Sequence, residues 1–324
     1  MNELNEIPVT DIPGIYIGQA EDPVGATGVT VFISKSGMPA GIDVRGGGPA
    51  SRESELINPL AAAQTIHAVV LGGGSAFGLD AAGGVMQYLE ENDIGYPVGP
   101  TRVPLVCQAD LFDLTVGDMR VRPDKAMGFK AAKAALDGGN YRDGSFGAGC
   151  GASVGKICGM ERAMKSGIGS FAVQLGELKV GAVVAVNALG DVFDSKTGRK
   201  IAGLLSEDKK GFASTEQELL KLFRPVENKF TGNTTIGVIL TNAKFDKARL
   251  CKIAGLAQDG YARSIRPVHT SADGDTIFAL SLGDVAADHD LVGVLAAEVM
   301  SEAIVRAIES ADSAYGLPSA REFM

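Results

Sequence analysis

Two adjacent threonines, Thr234 and Thr235, stand where a polar segment meets an apolar run, in the sequence NTTIGV at 233–238. A side chain at the start of a buried strand is held rigidly and can still be reached from the end of the fold. If the chain is cut directly before such a threonine, the new α-amino group can act as general base for the hydroxyl. Its pKa of about 7.7–8.0 leaves part of it unprotonated at neutral pH. The pattern therefore allows an amide-hydrolysing nucleophile after Asn233, although threonine is also common at ordinary strand starts.

Histidine is scarce in this chain, and the scarcity limits other mechanisms. The only histidines are His67, His269 and His289, which leaves few bases for a Ser-His-Asp mechanism. Together with four cysteines that lack CxxC spacing, they form a poor set of ligands for zinc, so we expect no metal site and no cofactor. We interpret the cysteines as buried free thiols; they are Cys107, Cys150, Cys158 and Cys251.

Two glycine-rich segments suggest nucleotide binding but complete no motif. GGGSAFG at 72–78 lacks the GxGxxG spacing, and GAGCGASVGK at 147–156 departs from the P-loop pattern at two positions. A nucleophile elbow around Ser75 also fails, because Phe77 stands where its second glycine belongs. We therefore expect these glycines to permit turns and close packing of the backbone.

The composition describes a globular protein without a nucleic-acid or membrane partner. Apolar residues make up 45% of the 324 positions, charged residues 21%, and the net charge is −9. Without a Lys/Arg-rich block, the chain lacks the positive surface that a phosphate backbone needs. No run of about 18 apolar residues predicts a membrane span. The first 20 residues carry acids where a secretory signal carries bases, which favours a cytoplasmic location.

The apolar pattern predicts the elements that must position these threonines. Runs rich in Val and Ile predict strands at 28–33, 66–71, 170–175, 180–186, 235–241 and 276–282. Ala and Leu recurring every three to four residues predict helices at 76–92, 124–137, 214–223, 245–264 and 289–315. Because most of the strands are apolar on both faces, we expect a layered α/β architecture with helices covering the sheets.

The segment 205–233 is more charged than its surroundings and ends in Thr231-Gly232-Asn233. Charged and turn-forming residues before an apolar strand indicate an exposed connection. A processing site could lie there. An ordinary surface loop with one helix is the alternative.

Seven separated blocks, spanning roughly residues 15–310, resemble the DmpA-type aminopeptidase family (L-aminopeptidase/D-esterase) and, within it, the nylon-oligomer hydrolases. They are GIDVRGGGPASRES (41–54), VVLGGGSAFGLDAAGGV (69–85), VPLVCQADLFDL (103–114), FGAGCGASVGK (146–156), AVVAVNALGDV (182–192), GNTTIGVILTNA (232–243) and HTSADGDTIFAL (269–280). The resemblance implies one domain over 1–324, folded as a four-layer αββα sandwich of the N-terminal-nucleophile type. It also implies self-cleavage after Asn233 into an α chain, 1–233, and a β chain, 234–324, which favours Thr234 over Thr235 as nucleophile.

The resemblance also implies roles for residues far from the threonines. Asn187 matches an amide that donates to the developing oxyanion, and Lys156 matches a basic residue of the nylon hydrolases. Asp273 and Asp275 match a pair behind the nucleophile that is a Ser and an acid in better-known relatives, and as two acids they would titrate as a coupled pair. Phe112 matches a substrate-binding position that is Tyr in many aminopeptidase relatives, so we expect the hydrogen bond of the Tyr hydroxyl, on the substrate or oxyanion side, to be missing here.

Each of these residues also has a purely structural interpretation. Asn187 could cap a turn, Lys156 could be a solvated surface lysine, and Asp-Gly-Asp at 273–275 is typical of a turn before a strand. The charges of the RGGGPASRE block receive no assigned role; they are Arg45, Arg52 and Glu53.

Four functions remain open at this point. The leading hypothesis is hydrolysis of small substrates with free amino termini, such as peptides, amino-acid amides or β-peptides. The second keeps the mechanism and changes the substrate to 6-aminohexanoate oligomers, the third is an acyltransferase of the ornithine acetyltransferase type, and the fourth is a protein without enzymatic activity. The resemblance further implies a homo-oligomer, a tetramer or larger, of processed αβ units.

Overall fold

The structure, a computed structural model, describes residues 4–222 and 232–323. Its α-helices over these residues are α1 Ala81–Glu91, α2 Lys125–Leu136, α3 Thr215–Lys221, α4 Lys247–Ser264 and α5 His289–Glu309. Its strands are β1 Leu4–Ile7, β2 Tyr16–Asp22, β3 Thr27–Met38, β4 Ala40–Val44, β5 Ala50–Arg52, β6 Ile66–Gly72, β7 Tyr96–Val98, β8 Thr101–Val103, β9 Val106–Asp110, β10 Ser153–Val154, β11 Met164–Lys165, β12 Ile168–Leu175, β13 Leu178–Asn187, β14 Asp191–Phe193, β15 Lys200–Ala202, β16 Thr234–Ala243, β17 Ile265–Arg266 and β18 Thr276–Val285.

Two sheets form the middle of the molecule. The first has the order β1-β12-β13-β16-β18-β4, in which β16 and β18 are parallel and the other neighbouring strands are antiparallel. The second has the order β2-β3-β6-β9-β5, with β6 and β9 parallel. All ten residues of β16 are buried, as expected of a strand apolar on both faces in the interior of a covered sheet.

Three hydrophobic cores separate four layers. One core fills the space between the two sheets and includes Phe32, Val183, Val238 and Phe278. A second packs α4 and α5 against the outer face of the first sheet. A third packs α1 and α2 against the outer face of the second sheet. The order of layers is therefore helix, sheet, sheet, helix, which confirms the expected αββα sandwich.

Side chains fix where most helices begin. Of the five α-helices within residues 4–222 and 232–323, four follow an Asp or Ser whose side-chain oxygen accepts a hydrogen bond from a backbone N–H in the first turn. These residues are Asp124, Ser214, Asp246 and Asp288. The caps fix where α4 and α5 begin, and both helices pack over the sheet that carries β16.

All six strands predicted from the sequence are present, but two helix boundaries are wrong. The predicted helix 76–92 is a 3-10 turn, Ser75–Asp80, followed by α1. The predicted helix 289–315 ends at Glu309, because the chain then turns through a bridge between Ala314 and Leu317. Part of the predicted connection 205–233, and the last residue of the predicted helix 214–223, lie outside the described residues.

The predictions for cysteine and glycine have mixed outcomes. All four cysteines are free, but Cys158 is exposed and Cys251 is half-buried, so the interpretation as buried thiols holds for only two. Close packing of glycine is confirmed at Gly151, where a Cβ would lie 1.9 Å from the carbonyl oxygen of Ala26. Among the described residues, no helix combines the length and apolar character that crossing a membrane requires.

Candidate active site

Thr234 lies at an end of the central sheet, where two strands meet. It is the first residue of β16 and stands directly opposite Asn187, the last residue of β13. Both residues are buried, Thr234 being 4% exposed. The antiparallel register therefore brings together two of the predicted site residues that lie far apart in the sequence.

The two neighbouring threonines face opposite sides of this sheet. Side chains alternate along a strand, so Thr234 shares a face with every second residue after it. Those residues belong to the core between the two sheets: Ile236, Val238 and Leu240. Thr235 shares its face with Ile239, which packs in the core under α4 and α5. Of the two hydroxyls, only that of Thr234 is directed toward the space between the sheets.

The hydroxyl of Thr234 is directed at the peptide bond before it. Its Oγ1 donates to the carbonyl oxygen of Asn233. The backbone N–H of Gly274 donates to the same oxygen at 3.0 Å, and a bridge between Asn233 and Asp273 holds these segments together. A Cβ at Gly274 would lie 2.8 Å from Thr234 Oγ1, so only glycine fits there without displacing the hydroxyl.

Lys156 is a buried residue of the site rather than a solvated surface lysine. Its Nζ donates to Asn187 Oδ1 at 2.8 Å, to the Asn187 carbonyl at 3.1 Å and to the Gly232 carbonyl at 3.2 Å. Burial lowers its pKa to about 7, an effect that the negative charges of Asp273 and Asp113 partly oppose. A substantial fraction of this amine is therefore neutral at neutral pH.

Asn187 and Phe112 line the segment just before Thr234. The side-chain amide of Asn187 donates to the Phe112 carbonyl at 2.9 Å and makes a longer contact, 3.4 Å, with the Gly232 carbonyl. The Phe112 ring packs on Gly232, where a Cβ would lie 2.2 Å from the ring. The ring thus borders the segment just before Thr234, and the backbone carbonyl of Phe112 orients the Asn187 amide.

Asp273 and Asp275 have separate partners. Asp275 accepts from Thr235 N at 2.8 Å on Oδ1, and from His269 N and Nδ1 at 3.0 and 2.9 Å on Oδ2. Asp273 accepts on Oδ2 from both the N–H and the hydroxyl of Thr270, at 2.8 and 2.5 Å. Burial, with a smaller contribution from the charge of Asp275, raises the pKa of Asp273 to about 6.

Sequence reasoning overlooked Gly274, His269 and two buried acids beside Phe112. The sequence offered one signal for Gly274, its place between two acids. Asp113 accepts from Gly74 N at 2.8 Å, and burial raises its pKa to about 6. Asp110 is fully buried against Gln108, whose side chain donates to it at 2.7 Å. Both acids lie in the sequence block that contains Phe112, so only the family resemblance could have indicated that they lie near the site.

The charges of the RGGGPASRE block make contacts outside this cluster. Arg45 pairs with Asp43 at 2.9 Å and donates to the Gly255 carbonyl. Arg52 donates to the Leu79 carbonyl at 3.1 Å. Among the described residues, the one group of acids and histidines close enough together for a metal ion is Asp288–Asp290, and it includes no residue around Thr234.

Comparison with known proteins shows which family the chain belongs to. A family model described as Peptidase family S58 matches residues 7–320. An uncharacterized aminopeptidase of Mycobacterium leprae is 38% identical over 96% of this chain and 92% of its own length. A 6-aminohexanoate-oligomer endohydrolase of Agromyces sp. is 31% identical over 92% of this chain and 84% of its own length.

Solved structures show the same fold. An L-aminopeptidase D-Ala-esterase/amidase from Ochrobactrum anthropi, described as a variant of the Ntn hydrolase fold, superposes with a TM-score of 0.67. It is 18% identical and the match covers 96% of this chain and 90% of that chain. A beta-aminopeptidase from Burkholderia sp. gives a TM-score of 0.63 at 21% identity, covering 93% and 86% of the two chains. This chain is an amide hydrolase of the peptidase type, and it belongs to peptidase family S58, the DmpA-type aminopeptidase family.

Proposed function

We propose that this chain cuts itself between Asn233 and Thr234 and then hydrolyses small amides with the Thr234 hydroxyl as nucleophile. The observation that carries the proposal is the convergence of two donors on one carbonyl. The Thr234 hydroxyl and the Gly274 N–H both donate to the Asn233 oxygen. Thr235 faces the other side of the sheet, which argues against it as the nucleophile.

Self-cleavage would begin with attack of Thr234 Oγ1 on the Asn233 carbonyl carbon. The Gly274 N–H is placed to stabilise the negative charge that develops on the carbonyl oxygen. Collapse breaks the C–N bond and leaves the acyl group on the Thr234 oxygen, while the proton that the hydroxyl loses is transferred to the Thr234 nitrogen. Water then opens the ester, leaving a carboxylate on Asn233 and a free amine on Thr234.

The mature enzyme would use the same hydroxyl on a substrate. The new α-amine takes the hydroxyl proton, the substrate acylates Thr234, the amine product leaves and water releases the acyl group. In the uncut chain the Gly232 carbonyl occupies donors of Lys156 and Asn187. Departure of this segment would free both groups for the substrate, and one oxyanion donor is typically worth about 3 kcal/mol in the transition state.

We propose small substrates with free amino termini as the leading class. The support is the 38% identity to a protein named as an aminopeptidase. Linear 6-aminohexanoate oligomers are the second candidate, because a relative at 31% identity is named as an endohydrolase of such oligomers. Comparing hydrolysis of alanine p-nitroanilide with that of a 6-aminohexanoate oligomer separates the two classes. Capture of the acyl group by an added amine faster than by water would instead indicate an acyltransferase.

Assembly and location belong to the same proposal. We expect the processed units to associate into a tetramer or larger homo-oligomer in the cytoplasm. Light scattering after size-exclusion chromatography would measure the mass of the assembly, and a monomeric mass at working concentration would contradict this part.

Intact-mass analysis of Thr234→Ala and Thr235→Ala tests the central step. The wild-type chain should give two fragments, 1–233 and 234–324, and Thr234→Ala should give one uncut chain without activity, because the attacking oxygen is gone. Thr235→Ala is the matched control: it removes the neighbouring hydroxyl from the opposite face, so cleavage should persist. Cleavage at this bond in Thr234→Ala, or an active wild-type protein that remains continuous through position 234, would refute the proposal.

A further inference from the structure

The carboxylate of Asp275 is held by three donors from two other segments. Its Oδ1 accepts from Thr235 N at 2.8 Å, and its Oδ2 accepts from the backbone N and the ring Nδ1 of His269 at 3.0 and 2.9 Å. The Asp275 side chain is only 1% exposed. Since both oxygens are bonded and water is excluded, this carboxylate has a fixed orientation.

His269 is itself held in an unusual conformation. Its φ is +59°, a left-handed value that costs free energy for any residue with a Cβ. Its ring stacks on the ring of Tyr261, a fully buried residue of α4, with centroids 6.1 Å apart and planes at 29°. The strained backbone directs the N–H and the ring Nδ1 at the same Asp275 oxygen, so the conformation serves that contact.

The neighbouring acid, Asp273, is held differently. Both of its side-chain hydrogen bonds come from one residue, Thr270, and both reach Oδ2. Neither bond connects Asp273 to β16. Of the two acids in the Asp-Gly-Asp turn, Asp275 is therefore the one whose side chain bonds to the strand carrying the nucleophile, whereas Asp273 meets the preceding residue, Asn233, through a backbone bridge.

We propose that His269 is a positioning residue that acts through Asp275. By donating from Nδ1, His269 fixes the carboxylate whose other oxygen holds the Thr235 N–H. That contact sets the backbone at the start of β16 and, with it, the direction of the Thr234 hydroxyl. This role rests on the proposed function, since it concerns the same nucleophile, and it assigns to His269 no contact with substrate.

Substitution of His269 by Leu and by Asn separates positioning from packing. Leu removes the donor, and we expect the rates of self-cleavage and of turnover per folded molecule to fall roughly tenfold to a hundredfold, with KM changed much less. Asn presents an amide N–H near the position of Nδ1 and tolerates positive φ, so His269→Asn should recover most of the lost rate. His289→Leu, a histidine at the start of α5, is the matched control and should behave as wild type.

A double-mutant cycle with Asp275→Asn tests whether His269 works through that carboxylate. If it does, adding His269→Leu to Asp275→Asn should lower the rates little further, whereas independent roles would give additive losses. Circular dichroism and thermal melting identify the folded fraction of each variant, so that rates are compared per folded molecule.

The possible outcomes separate the role of His269 from the proposed function. Wild-type rates per folded molecule in His269→Leu, no rescue by Asn, or full additivity with Asp275→Asn would each overturn the role of His269 while leaving the nucleophile intact. A wild-type chain that is never cut at Thr234 would instead overturn the proposed function itself.

Discussion

At the scale of single residues, the choice between two hydroxyls depends on the side of a strand that each one faces. Thr234 and Thr235 are chemically identical and adjacent, and their sequence context does not distinguish them. The register of β16 against β13 does, because it directs Thr234 between the sheets and Thr235 under the helices. A catalytic role in this fold is therefore assigned by alternation along the strand as much as by side-chain chemistry.

Burial in the fold changes the charge state of Lys156. Burial lowers its pKa to about 7, and the charges of Asp273 and Asp113 oppose this effect only in part. The three oxygens that Nζ contacts are neutral, and the neutral amine can donate to two of them at a time. Its role near the nucleophile is thus compatible with a neutral amine at working pH. The lowered pKa has a measurable consequence for stability.

We predict that stability conferred by Lys156 rises with pH. The folded pKa of about 7 lies below the unfolded value of about 10.4, so between these values the unfolded chain binds more protons and the free energy of unfolding increases with pH. Against Lys156→Met, the difference should grow by about 1.4 kcal/mol for each pH unit above 7. Urea unfolding at pH 7, 8 and 9, both variants in the uncut Thr234→Ala background, measures it. A difference that does not vary with pH would contradict the buried neutral amine.

At the scale of elements, the turn before β18 matters because it brings a backbone donor to the end of β16. Gly274 is placed by the parallel pairing of these strands, and the space around it is closed by Thr234 Oγ1 on one side and by the Gly48 carbonyl, 3.0 Å from an added Cβ, on the other. Since the carbonyl is backbone, relief of a clash must come from the turn or from the nucleophile.

We predict that Gly274→Ala slows self-cleavage at least tenfold. The added methyl displaces either the Thr234 hydroxyl or the Gly274 N–H from the Asn233 carbonyl, and a misplacement of about 1 Å can cost a hundredfold in rate. A time course of intact masses measures the effect. Gly283→Ala is the matched control: it introduces a Cβ 2.5 Å from the Asn242 carbonyl at the other end of β18, so it should strain the fold without slowing the cut. Equal slowing in both variants would indicate general strain.

The strands with continuous apolar runs were predicted from the sequence, and strands interrupted by polar residues were missed, for a physical reason. Strands such as 180–186 and 235–241 carry continuous apolar runs because they are buried on both faces. β9 has the sequence VCQAD, and it is a strand because it pairs with β5 and β6, which local composition does not record. The 3-10 turn before α1 begins at Ser75, whose φ is +55°, a conformation that helical periodicity does not reveal.

The candidate site was predictable to a different extent. Thr234, Asn187 and Lys156 were identified by resemblance, and the structure brings them together within hydrogen-bonding distance of the same short segment. Gly274 and His269 were missed because their backbone N–H groups make important contacts, and His269 also has a left-handed φ. Neither feature produces a recognisable pattern of residue types. Site geometry of this kind depends on register between segments distant in the chain.

At the scale of the whole molecule, the proposed cut would divide the strands of the first sheet between two chains. Of its six strands, β16 and β18 would belong to the chain 234–324, and they lie between β13 on one side and β4 on the other, both from the chain 1–233. The core under α4 and α5 likewise combines side chains from both chains. Separating them would expose these faces and break two strand pairings along their whole length.

We therefore predict that the two chains stay together after cleavage and separate only on unfolding. Each buried Leu, Ile or Val in the shared cores contributes about 1.5–3 kcal/mol, so dissociation in native buffer would forfeit far more than the broken peptide bond releases in chain entropy. Native mass spectrometry should show one particle containing both fragments, and urea should release them at the midpoint where circular dichroism is lost. Uncut Thr234→Ala gives the reference melt. Fragments that separate on dilution, with the helical signal intact, would mean that the two chains do not share the sheet.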